Sequence, residues 1–98
     1  MNSANLDKVK QLAKDLELDE PRPAREELAG FPIAARTLDK CRANLAGTVG
    51  DFKFNCPMDQ QFFSESGITA EQFRDFVATG ATDEEVANWI SENAKSDF

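Results

Sequence analysis

Helix start and stop signals recur along this chain at intervals that leave room only for short helices. Pro32 opens a helical pattern that Gly47 closes, Pro57 opens one that Ser66-Gly67 closes, and Gly80 separates two more. Thr69 with Gln72, and Thr82 with Glu85, have the capping-box spacing in which each side chain satisfies a free backbone N–H of the other. The apolar stripes Phe73, Phe76, Val77 and Val86, Trp89, Ile90 predict an antiparallel helical hairpin packed on the central aromatic residues. Trp89 and Phe31 are expected in the core, and the tail from Asn93 is expected to fray.

At the other end, Leu6, Val9, Leu12, Ala13 and Leu16 share one helical stripe, with Ser3 or Asn5 as the cap. The acidic run from Glu17 to Glu20 and then Pro21 should end that helix. Pro21-Arg22-Pro23 reads as an extended connector, and Pro23 suits the start of a short helical turn over Ala24–Leu28 that Ala29-Gly30 closes. Asp51 to Phe54 alternates, as a half-buried extended segment would, and nothing in the sequence offers it a second strand. The expected fold is an all-α, small single-domain helical bundle of four to five helices, with a short extended aromatic segment before the Cys-Pro helix. Residues 1–20 form an N-terminal extension, 21–92 the helical domain and 93–98 the tail.

Composition narrows the function classes. A chain of 98 residues supports one core. Its net charge of -7 disfavours nucleic acid and anionic membrane surfaces as partners. Up to Cys56 there are nine basic and nine acidic residues, and after it two and nine, so the whole surplus lies in the C-terminal part. The chain has no histidine and no tyrosine, which excludes a Ser-His or Cys-His dyad and an imidazole metal ligand. Two cysteines are too few for a structural zinc site or a disulfide framework, so no metal, no cofactor and a reducing cytoplasmic location are expected. No apolar run reaches a membrane-spanning length, and the first residues lack a signal-peptide core.

Two local features carry the candidate chemistry. Pro57 at the first helical position would make Cys56 the N-cap, where free N–H groups and the helix dipole favour a thiolate. Asp59 in the same turn would cap those N–H groups itself, or pair with Arg36, Lys40 or Arg42, and its charge opposes thiol ionisation. Cys41 shares a stripe with Ala34, Leu38 and Leu45 and reads as a core residue. The second feature is a basic face of Arg36, Lys40 and Arg42 with Asn44, beside a corner at Gly47 to Gly50 and the residues Phe54, Asn55 and Asp59. The reading favoured is a non-catalytic binding module, with a groove between residues 32–46 and 47–63 for a small anion or protein partner. Thiol chemistry at Cys56, redox or acyl transfer, is the alternative. A homodimer pairing through residues 51–54 is the second alternative.

The run from Pro21 to Ile90 resembles a bacterial family, the domain of unknown function 5069. The residues that carry it are Leu38-Asp39-Lys40, Arg42-Ala43, Leu45-Ala46-Gly47, Gly50, Cys56-Pro57-Met58-Asp59-Gln60 with Phe62, and Asp83-Glu84-Glu85 before Trp89. The chain departs from the family's pattern at Ala35, at Cys41, and at Phe52-Lys53-Phe54, where members often show tyrosine and histidine. The resemblance implies membership alone and carries over no activity, cofactor or catalytic residue.

Overall fold

Five helices follow one another in a computed structural model that describes residues 4–95: α1 Leu6–Leu12, α2 Ala34–Ala46, α3 Pro57–Ser66, α4 Ala70–Val77 and α5 Asp83–Asn93. The start signals act as the sequence predicts. Thr69 and Thr82 cap α4 and α5 in reciprocal capping boxes, and Pro57 takes the first turn of α3. Gly47 and Gly67 end α2 and α3 in the left-handed conformation. Asn5 caps α1 by accepting a hydrogen bond from the Lys8 N–H; Ser3 lies outside the described residues.

Three local expectations are corrected. First, α1 stops at Leu12, four residues short of Leu16, because long-range bonds take over: the Leu16 N–H donates to Thr48 O at 2.8 Å. Its far end is tied by the Asn5 N–H to Ala78 O at 2.7 Å. Second, the short helical turn expected over Ala24–Leu28 is a single hydrogen-bonded turn, with the Glu26 N–H on Pro23 O at 3.1 Å, and gives way to a bridge at Leu28. Leu28 and Phe31 exchange backbone hydrogen bonds of 3.1 and 3.0 Å across Ala29 and Gly30, whose φ values of 57° and 82° make the tight turn of a miniature hairpin. Third, α2 begins at Ala34 rather than Pro32, with Ile33 at φ 76° as its cap. That is a strained conformation for a β-branched residue, worth roughly 1–3 kcal/mol. It is held by the Ile33 N–H bond to Ala24 O at 2.7 Å and by burial of the side chain in the core.

The segment 51–54 forms no strand, although its side chains alternate as expected, with Phe52 and Phe54 half-buried and Asp51 and Lys53 exposed. Beyond Asn93 the Lys95 N–H donates to Ser66 O at 2.7 Å, and residues 96–98 of the expected frayed tail lie outside the described residues.

Aromatic rings build the core. Phe62 and Phe73 are fully buried at its centre, with Phe31, Phe54, Phe63 and Trp89 ranged against them. Trp89 stacks on Phe76 at 4.9 Å, which joins α4 to α5.

The helix that organises the rest is α2. The sequence assigns it one buried stripe, yet it is buried almost all round from Ala34 to Ala43, with only Arg36 partly exposed. Its charged residues therefore meet counter-ions on neighbouring elements. Asp39 receives Arg22 of the connector through two side-chain bonds of 2.9 and 3.0 Å, and Lys40 reaches Asp59 of α3 at 3.0 Å. Arg42 reaches Asp83 of α5 at 2.7 Å and Ala81 O at 2.9 Å. Each of these pairs ties a different element to one helix.

Candidate functional site

Removing a lysine from water costs several kcal/mol unless a carboxylate and further hydrogen bonds replace the lost solvation. At Lys40 the sequence supplies both. The i, i+3 spacing of Thr37 and Lys40 sends the two side chains to one side of α2, and both meet the Asp59 carboxylate in the first turn of α3. Thr37 Oγ1 donates to Asp59 Oδ1 at 2.8 Å, and Lys40 Nζ lies 3.0 Å from Oδ2. The same Oδ2 accepts the Asn55 N–H at 2.9 Å and the Cys56 N–H at 3.4 Å. Asn55 directs these N–H groups inward by adopting φ 65°, a left-handed conformation that asparagine tolerates better than most residues. Asp59 is thus cap and ion-pair partner at once, and it is fully buried.

Cys56 is the N-cap of α3, as its place before Pro57 predicts, and its thiol is partly exposed. Lys40 Nζ, while bound to Asp59, is also 3.0 Å from Cys56 Sγ. Burial raises the thiol pKa, but the Lys40 hydrogen bond and the N–H groups of Asp59 and Met58 outweigh both burial and the nearby Asp59 charge, so Cys56 ionises below its ordinary 9.0. Cys41 is the opposite case. It is fully buried on α2, and loss of solvation pushes its thiol well up.

Of the sequence candidates, the structure gathers Cys56, Lys40, Asp59 and Asn55 into one cluster. Thr37 belongs with them; its sequence signal was its position one turn before Lys40. The others lie elsewhere. Arg42 is buried against α5, and among the described residues its Nε is a buried nitrogen without a hydrogen-bond partner. Arg36 is partly exposed, with its guanidinium 5.7 Å from the centre of the Phe52 ring. Asn44 is exposed, and Phe54 packs on Phe63 and Phe73. Lys40 and Arg42 are 2% and 4% exposed, so they do not form an open basic face with Arg36. A cavity of about 250 Å³ is lined by Leu16, Glu17, Gly50, Asp51 and Phe52, and includes no member of the cluster. Among the described residues no group of three or more acidic, cysteine or histidine side chains is placed to hold a metal ion, and no helix is long and apolar enough to cross a membrane.

Fold and cluster together define a small all-α domain in which a partly exposed thiol is backed by a buried ion pair. The chain belongs to the family described as Domain of unknown function (DUF5069), whose model matches residues 18–97. Helix α1 lies ahead of the matched residues. No curated protein matches the chain.

Proposed function

We propose that the protein acts through Cys56 as a nucleophilic thiolate toward a small electrophile or oxidant. The observation that carries this reading is the contact of Lys40 Nζ with Cys56 Sγ at 3.0 Å, made by an ammonium held by Asp59, whose carboxylate in turn accepts from Thr37. A thiolate stabilised by a fixed cation needs no histidine to remove its proton, which suits a chain without one. Lys40 is also the only nearby group in the cluster able to donate a proton or a charged hydrogen bond to an oxygen that develops negative charge. The binding-module reading has less support, because two of the three cations it needs are buried in internal ion pairs.

The test is the rate of iodoacetamide alkylation as a function of pH in the Cys41→Ala protein. Cys56 should alkylate in the folded state with a midpoint below that of an ordinary thiol, and Lys40→Met should move the midpoint up. A thiol that reacts only after unfolding in urea, or whose midpoint is ordinary and indifferent to Lys40, sinks the proposal.

A further inference from the structure

We infer that Lys40 and Cys56 form a reversible sulfenamide cross-link when the protein meets hydrogen peroxide; this inference rests on the thiolate reading of Cys56. Sulfenic acids are normally captured by a second thiol. Here Cys41 is fully buried on α2, and the nucleophile in contact with Cys56 Sγ is the Lys40 amine at 3.0 Å. Both atoms are positioned before any reaction: Nζ by Asp59, on a helix buried nearly all round, and Sγ by the N-cap of α3. The thiol is partly exposed, so a molecule as small as peroxide can reach it, whereas Lys40 is 2% exposed.

The chemistry balances without any further group. The Cys56 thiolate attacks one peroxide oxygen, the O–O bond breaks, and Cys56 sulfenic acid forms with release of hydroxide, which takes one proton from the Lys40 ammonium to become water. The neutral amine then attacks the sulfenic sulfur; an S–N bond forms, the S–O bond breaks, and the leaving hydroxyl takes a second amine proton to become another water. In sum, thiolate, ammonium and peroxide give a sulfenamide and two waters. Sulfur is oxidised by two electrons and the peroxide is reduced by two. A low-molecular-weight thiol reverses the link by attacking sulfur and releasing the Lys40 amine as a mixed disulfide forms.

The link has a structural consequence. It consumes the ammonium that neutralises Asp59, leaving a fully buried carboxylate with Thr37 and two backbone N–H groups. Oxidation would therefore weaken the α2–α3 junction electrostatically while tethering it covalently, and it would protect Cys56 from irreversible oxidation to the sulfinic acid.

The experiment treats the purified Cys41→Ala protein with hydrogen peroxide, blocks remaining thiols, and maps tryptic peptides by tandem mass spectrometry. The expected product joins the peptides that carry Lys40 and Cys56, is lighter by two hydrogens than their sum, resists cleavage after Lys40 and disappears with dithiothreitol. Lys40→Arg keeps a cation without a competent amine; there Cys56 should gain one and then two oxygens with complete loss of the cross-link. Oxygenated Cys56 without any joined peptide in the lysine-containing protein overturns the inference. If that happens while iodoacetamide still reacts with a low midpoint, the thiolate reading survives. Folded protein inert to both reagents rejects both.

Discussion

Replacing Lys40 by methionine keeps much of the side chain's length and removes its charge. Asp59, 0% exposed, would then lose the Lys40 ammonium and keep three donors: Thr37 Oγ1 at 2.8 Å, the Asn55 N–H at 2.9 Å and the Cys56 N–H at 3.4 Å. Breaking one side of a buried ion pair costs roughly 3–5 kcal/mol, and the surviving donors place this site near the lower end, about 3 kcal/mol. Set against a total stability of about 5–15 kcal/mol for a domain of this kind, the loss is large. At about 4–8 °C per kcal/mol for a chain of this size, the thermal midpoint should fall by about 12–24 °C. Urea unfolding followed by Trp89 fluorescence and by circular dichroism would measure it. Adding Asp59→Asn to Lys40→Met should cost less than the sum of the two single changes, because the second substitution removes the charge that the first leaves stranded. A Lys40→Met loss under about 1 kcal/mol, or strict additivity of the two, would refute the ion-pair account.

Other outcomes follow from neighbouring features. Phe62→Ala, at the centre of the aromatic core, should cost about 3–5 kcal/mol in the same urea assay, since a fully buried ring leaves a cavity. Ala29→Gly should stabilise by up to about 1 kcal/mol, because φ 57° disfavours a side chain, and a rise in urea midpoint would show it. Burial raises the Asp83 pKa, but Arg42 and Arg22 hold it below the ordinary 3.8. The stability Asp83 contributes is therefore full above 3.8 and lost as pH falls through its lower folded value, a loss that Arg42→Met should reduce in acid-unfolding curves. The Cys56 thiol, depressed below 9.0, gives stability that is full above 9.0 and lost as pH falls through the folded value. Cys56→Ala should flatten the urea midpoint against pH over that window.

Much of the fold was legible because its signals are local. A capping box at Thr69 or Thr82 closes within one turn, and a glycine after Ala46 or Ser66 needs only its own backbone freedom, so the limits of α3, α4 and α5 follow from nearby residues. The errors fall where distant groups compete for the backbone. Leu16 leaves the α1 pattern to bond Thr48, and Ile33 takes a conformation its own sequence disfavours because Ala24 accepts its N–H.

The candidate site divides in the same way. Local residues suffice to make Cys56 a helix cap, to put Asp59 in the same first turn, and to close imidazole chemistry to the chain. That Lys40, rather than Arg36 or Arg42, stands between that thiol and that carboxylate is a result of packing α2 against α3. A helical wheel orders residues around an axis but does not say how many neighbours the helix will have. Because α1, the connector, α3, α4 and α5 all close around α2, Asp39, Lys40 and Arg42 leave water, and each is held by the counter-ion its neighbour provides.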